Sequence, residues 1–349
     1  MKDKINYWDE FEYDKLKLLC HAEKVRSVME VAEHIRIYDN LPPISVEMHL
    51  TDSCNLACPW CTDRLLLGKG TKLDKEVAFR LLREFGQMGI GVTLEGGGEP
   101  TLHPDFKEIV RYGSMSGVSL GLITNGTVDI SDIINELRWV RISLDASTPE
   151  EYILEKGKNL MDRVLDNIKR YRELRDYQRV FLGIGYVITK RNHSQIESII
   201  DKLDELEVDY LYLRPVEEDI ELIPGREELY DLRKKILNLT ENRRIKFKMV
   251  INDRLICDNA SLPCIAHGLT SIIHANGDVV CCEKRRQDIL RLGNVNERTF
   301  REIWQSEERI QATQKLLDAS NQLGCSACRI TGFNIMINNL KKLNTREFI

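Results

Sequence analysis

The chain has no apolar run long enough to span a membrane. Its first residues, Met1-Lys2-Asp3-Lys4, are too polar for a signal peptide. Internal repeats and low-complexity tracts are absent, which argues against a solenoid or a disordered tail. Neither sign of charge dominates: 50 Lys and Arg against 55 Asp and Glu leave a net charge of −5. Nucleic acid and anionic membrane are therefore not expected as partners. Disulfides are not expected either. Ten cysteines without a secretory signal read as thiols of a reducing, cytoplasmic compartment, used in metal chemistry. What remains is an ordinary globular composition, 42% hydrophobic and 30% charged over 349 residues. That length suits one large domain with an appendage, or two domains.

Three of the cysteines fall on one short loop, Cys54-Asn55-Leu56-Ala57-Cys58-Pro59-Trp60-Cys61, directly after a strand-like stretch, Ser45–Leu50. Cubane irons take thiolate ligands, so this C-x3-C-x2-C loop can hold three irons of a 4Fe–4S cluster. The fourth iron then has no protein ligand and can bind a small molecule. Zinc is the competing reading of a small cysteine cluster. Zinc sites pair one C-x2-C with a second pair nearby, and none lies within the next 40 or so residues, the spacing such sites use.

From Ser45 the chain alternates strand-like segments, at 45–50, 91–95, 119–123, 139–144, 180–188 and 209–213, with amphipathic helices. One helix carries Val77, Ala78, Leu81, Leu82, Phe85 and Met88 on a single face and stops at Gly89. Others centre on 109–110, 130–137, 161–174 and 196–206. This alternation predicts an α/β fold with a parallel sheet and right-handed crossovers. Barrel active sites are built by loops after the C-terminal ends of strands, where the cysteine loop falls. Later strand ends carry Gly96-Gly97-Gly98-Glu99-Pro100, Thr124-Asn125-Gly126 and Ser143-Leu144-Asp145. The fifth strand carries Gly183 and Gly185 beside Tyr186, and the sixth ends in Arg214. The glycines of 96–98 let backbone approach a ligand closely, although a plain turn accounts for them equally well. For Arg214 the choice lies between a structural ion pair and an anion contact.

The cysteine loop and the Gly-Gly-Glu motif resemble those of the radical S-adenosylmethionine (SAM) superfamily. The resemblance covers roughly residues 45–330. It implies a partial (β/α)6 barrel and a cluster on Cys54, Cys58 and Cys61 whose open iron takes SAM. Trp60 fits the same loop. The resemblance further implies that Gly97, Gly98 and Glu99 hold the SAM amino group. Asn125 belongs to a tripeptide frequent at that strand end in relatives, Ser143 and Asp145 would meet the ribose, and the fifth strand would face the adenine. An external reductant such as flavodoxin or ferredoxin is implied as a partner.

Six more cysteines crowd the last hundred residues: Cys257, Cys264, Cys281, Cys282, Cys325 and Cys328. Residues 271–280 read as a β-hairpin on an Asn276-Gly277 turn. Four thiolates can close a zinc site or a fully ligated 4Fe–4S cluster, and spacing alone does not decide. The order of cysteines and glycines resembles the twitch and SPASM appendages of radical SAM enzymes. This implies a second, auxiliary 4Fe–4S cluster on Cys264, Cys282, Cys325 and Cys328, with Cys281 competing for the place of Cys282. The expected organisation is a helical extension at 1–44, a barrel at 45–215, a bridge at 216–255 and a cysteine-rich α+β domain at 256–349. The expected reaction is hydrogen abstraction from a small polar, carbohydrate-like substrate, with the auxiliary cluster accepting an electron. Epimerisation and modification of a ribosomally made peptide are the alternatives, and a zinc-binding structural protein is the third. Candidate bases are Glu283, Arg214 and Tyr186. Cys257 and Cys281 are candidate hydrogen donors.

Overall fold

The computed structural model describes residues 14–36, 38–216, 221–242, 245–252, 262–282, 290–318 and 330–342. Its centre is one sheet of ten strands. Six are the expected ones: β1 Ser45–Met48, β2 Gly91–Leu94, β3 Leu120–Thr124, β4 Trp139–Ser143, β5 Phe181–Ile188 and β6 Tyr210–Pro215. They pair in sequence order and in parallel. The sheet continues past both ends of this set. Beyond β6 lies β7, Lys248–Ile251, also parallel. On the other side β8, Thr270–Ile273, pairs in parallel with β1, Ser45 opposite Thr270. The antiparallel strands β9, Asp278–Val280, and β10, Arg291–Asn294, complete the order β10-β9-β8-β1-β2-β3-β4-β5-β6-β7. Among the described residues β7 and β10 have no strand partner on their outer edges, so the barrel is partial and open.

Two expectations change here. Residues 245–251, read as part of a bridge leaving the barrel, end in a strand of the barrel sheet itself. The hairpin at 271–280, read as belonging to the appendage, starts with a strand that pairs directly with β1. Strand β8 is buried on both faces apart from its first residue, the condition of a parallel strand flanked on both sides.

The crossovers are helices α2 Lys75–Met88, α3 Phe106–Met115, α4 Pro149–Lys156, α5 Met161–Leu174, α6 Ile196–Leu206 and α7 Arg226–Asn242. In α2 the Asp74 side chain accepts from the Glu76 and Val77 N–H groups, and Gly89 ends the helix in a left-handed conformation. A Thr148–Glu151 capping box starts α4. The helix expected at 130–137 is instead a short 3-10 segment, Ser131–Glu136. There the Asp129 carboxylate takes the Ser131 N–H and the Tyr171 hydroxyl takes that of Ile130, both in place of helical partners.

Alternation along the strands sorts the chemistry. Val46, Met48 and Leu50 join the apolar core with Leu81, Leu82 and Phe85 of α2, while Glu47, between them, faces the barrel interior. The N-terminal helix α1, Ala22–Ala32, packs through Val28 and Ala32 against Ile265, Ala266 and Ile337. Helices α8 Phe300–Trp304, α9 Glu307–Asp318 and α10 Thr331–Lys342 complete the chain. A buried ion network joins the two ends: Asp39 pairs with both Lys24 and Arg309, whose guanidinium stacks 3.9 Å from the Trp304 ring.

Candidate active site

A cavity with about 1170 Å³ of empty space, partly open to solvent, lies at the C-terminal ends of the parallel strands. Cys54, Cys58 and Cys61 all line it. Cys54 is exposed and the other two are half-buried. The loop that carries them is fastened from several sides. The Cys61 N–H donates to the Cys58 carbonyl at 3.3 Å, and the Ala57 N–H to the Lys156 carbonyl at 3.0 Å. Asn55 donates to Thr127 at 2.9 Å and accepts from Asn125 at 2.8 Å. The Trp60 indole donates to Glu155 at 2.9 Å. Three thiols on one rigid loop, all facing one cavity, are the donor set that a cubane with one open iron requires. Among the described residues no trio of His, Cys, Asp and Glu converges on a single ion.

Gly97, Gly98 and Glu99 line the same cavity, but the glycines serve a different neighbour than expected. The Gly98 N–H donates to the Thr51 carbonyl at 2.7 Å and the Glu99 N–H to the Ser53 carbonyl at 2.8 Å. A Cβ on Gly98 would sit 2.1 Å from the Ser53 oxygen, and one on Gly97 (φ +63°) 2.9 Å from the Thr51 oxygen. The close approach is therefore backbone to backbone, between this loop and the segment entering Cys54. The Glu99 carboxylate is fully engaged. It accepts from the Thr124 hydroxyl at 2.6 Å, the Asn125 N–H at 2.7 Å and both donors of Thr101. Burial pushes its pKa up, against the pull of those hydrogen bonds.

His103 anchors the far end of this loop. Its Nε2 donates to the Leu73 carbonyl at 2.9 Å and its Nδ1 accepts from the Asp105 N–H at 3.1 Å, an arrangement that only the neutral ring satisfies. Burial accordingly lowers its pKa below 6.5. As pH falls below 6.5, the unfolded chain takes a proton that the folded chain refuses, so stability drops. The slope is at most one proton, about 1.4 kcal/mol per pH unit. Urea-unfolding midpoints followed downward from neutral pH should show this loss, and His103→Gln should flatten it.

Asn125, Ser143, Trp60 and Arg214 also line the cavity. Asp145 and Tyr186 do not. Asp145 is fully buried, with φ +58°, and its carboxylate pairs with Lys156 and accepts from the Val187 N–H. It is engaged inside the protein, where a ribose contact was expected. Tyr186 faces away from the cavity because it alternates with Gly185 and Val187, which line it. Its hydroxyl donates to the Asn192 carbonyl at 3.1 Å and burial raises its pKa, so it is not placed as a base for this cavity. The fifth strand is also less open than its glycines imply. The position of a Gly183 Cβ is filled by the Tyr210 ring, 2.1 Å away, and only Gly185 borders the cavity.

Cys281 is buried in the main core, its thiol near the Leu290 carbonyl, and burial pushes its pKa up to about 12. It does not line the cavity. Cys264 and Cys282 are half-buried and pack against the edge of that core. Glu283, Cys257, Cys325 and Cys328 lie outside the described residues.

Several cavity residues escaped the sequence reading. Lys156, at the end of α4, lines the cavity with its ammonium 5.1 Å from the Trp60 ring centroid. Arg141 lies over the Tyr212 ring at 4.4 Å, and both border the cavity. Glu47 holds His49 at 2.8 Å, and His49 stacks on His274 at 5.2 Å. Glu47 and Arg141 were legible from strand alternation, since they share phase with Ser143-type inward positions. Lys156 had no such signal.

Residues 48–212 match the family model described as the radical SAM superfamily, and residues 264–329 match SPASM, an iron-sulfur cluster-binding domain. The chain is 25% identical to the tungsten-containing aldehyde ferredoxin oxidoreductase cofactor-modifying protein of Pyrococcus furiosus, over 74% of this chain and 80% of that protein. It is 24% identical to the PqqA peptide cyclase of Xanthomonas euvesicatoria, over 76% and 75%. Among solved structures it resembles Streptococcus suis SuiB bound to the precursor peptide SuiA. That likeness has a TM-score of 0.61 at 18% identity and covers 84% of this chain and 70% of that one. Among the described residues no helix is long and apolar enough to cross a membrane.

Proposed function

Since this chain belongs to the radical SAM superfamily and carries a SPASM iron–sulfur domain, we propose that it modifies a peptide by hydrogen-atom abstraction in the cavity bordered by Cys54, Cys58 and Cys61. Its cofactors are SAM and two 4Fe–4S clusters. Bound there, SAM and the first cluster would supply one-electron radical chemistry able to act on an unactivated C–H bond. The chain's own residues position and shield that event. Cys54, Cys58 and Cys61 hold the first cluster. The backbone of 97–99, fixed against the cysteine loop, offers acceptors for an ammonium group. Ser143 and Asn125 supply polar contacts on the adjoining strand ends, and Arg141 and Arg214 supply cations on the β4–β6 side. Cys264, Cys282, Cys325 and Cys328 hold the auxiliary cluster.

The observation that carries this reading is the convergence of three loop thiols and the Gly-Gly-Glu loop on one cavity. The peptide class is supported by the PqqA peptide cyclase among the relatives. The carbohydrate-like substrate expected from the sequence draws no support from the relatives named above.

Anaerobic reconstitution should give about eight irons per chain, two cubanes of four. With dithionite and SAM the protein should form 5′-deoxyadenosine, and a peptide library should raise that rate. Zinc without iron, or iron without SAM cleavage, would overturn the radical reading. Stimulation by a panel of sugar alcohols but not by peptides would overturn the substrate class.

A further inference from the structure

We propose that Lys156 is a fixed positive charge beside the cysteine loop that makes one-electron reduction of the first cluster easier. This rests on the cluster assignment above and goes beyond it.

A buried ammonium is costly unless it is well compensated, so its presence needs a reason. The Lys156 side chain is 2% exposed and pairs with Asp145, which is entirely buried. Everything around the pair fixes its position relative to the cysteine loop. The Lys156 carbonyl accepts from Ala57, the residue preceding Cys58. The next residue, Gly157, ends α4 with φ +76°, and a Cβ there would lie 3.0 Å from both the Cβ and the carbonyl oxygen of Ala57. Helix end and cysteine loop are thus in backbone contact. Asp145 is held in turn by the Val187 N–H and by its own left-handed backbone, a conformation aspartate tolerates better than most residues. Trp60, one residue before Cys61, lies under the ammonium and is anchored by Glu155.

The ammonium stays paired with a carboxylate inside the protein. Lys156 lines the cavity with the three loop thiols and Asp145 does not, so the pair presents its positive end to the cavity. An electron added to a cluster bound there increases negative charge beside that positive end. Charge and hydrogen bonding around ligand sulfurs are established levers on cluster potentials. A lysine that only stapled α4 to the segment after β4 would not need to line the cavity.

The test is a dithionite titration of the reconstituted full chain without SAM, followed by electron paramagnetic resonance. The first cluster's signal is the one missing from a Cys54, Cys58, Cys61→Ala variant. Lys156→Met should make reduction about tenfold less favourable, which is 59 mV for one electron. Lys156→Arg should keep the wild-type potential. Because Lys156→Met leaves the Asp145 carboxylate uncompensated, the double variant Lys156→Met/Asp145→Asn provides a second measurement free of that orphan. Its potential should also fall, since the nearer charge is the one removed. Unchanged potentials in both variants, with iron retained, would overturn the inference. So would a loss of SAM affinity at unchanged SAM-free potential, which would make Lys156 a cosubstrate contact. A wild-type chain with no iron dependent on the three loop cysteines would instead sink the cluster assignment itself.

Discussion

Replacing Cys58 by Ala is expected to remove about four irons per chain, the content of one cubane, and to bring 5′-deoxyadenosine formation to background. The cavity offers no replacement sulfur: among the described residues its thiols are Cys54, Cys58 and Cys61 alone. Two thiolates would leave a second iron open, and the cluster would lose the geometry that reserves one iron for SAM. The fold should survive. Cys58 is only half-buried, and the loop around it is held by main-chain bonds and by Asn55 and Trp60 rather than by the thiol. Cys281→Ala is the matching control. That thiol sits inside the core, so its loss should lower the melting temperature while the iron count stays whole. Iron loss in the control would assign Cys281, in place of Cys282, to the auxiliary cluster. SAM cleavage at the wild-type rate by Cys58→Ala would refute the first assignment.

The sequence revealed the sheet and the cysteine loop for the same reason: each depends on short-range pattern. Six strands announced themselves as apolar runs separated by helical periodicity, and their order followed from the handedness of parallel crossovers. The sheet's extent was less visible. Lys248–Ile251 and Thr270–Ile273 are four-residue strands. Nothing local tells such a segment whether it joins a barrel or an appendage; its partner, β6 or β1, decides. The site divides along the same line. Cys54, Cys58, Cys61 and Glu99 were singled out by their spacing, and the fold brings them to one cavity. Tyr186 was misplaced although period-two alternation with Gly185 already put it on the helix side. Asp145 was misjudged because its partner, Lys156, lies 11 residues on. A strand-end carboxylate beside solvent and one buried under a helix end look alike in sequence. Gly98 was read as making room for a ligand and instead packs on the backbone of Thr51 and Ser53, since a glycine's need for space does not say what fills it.

That neighbour sets the second large effect. Gly98→Ala should destabilise the folded chain by about 2–4 kcal/mol, combining the cost of overpacking with that of a broken backbone pair. The added Cβ would stand 2.1 Å from the Ser53 oxygen and 2.7 Å from the Asp52 carbonyl carbon. Both are main-chain atoms, so no side chain can swing aside. Relief requires the two loops to separate, and separation breaks the bonds from the Gly98 and Glu99 N–H groups to Thr51 and Ser53. Those carbonyls immediately precede Cys54, so the damage reaches the cluster loop as well as the fold. The variant should show a lower urea midpoint and reduced iron retention together. Gly91→Ala tests whether this comes from the site or from adding any methyl group to these strands. A Cβ at Gly91 would meet nothing closer than 3.8 Å, and its midpoint should stay within about 0.5 kcal/mol of wild type. If Gly98→Ala matched Gly91→Ala in both midpoint and iron, the backbone contact between the two loops would not be what holds the site together.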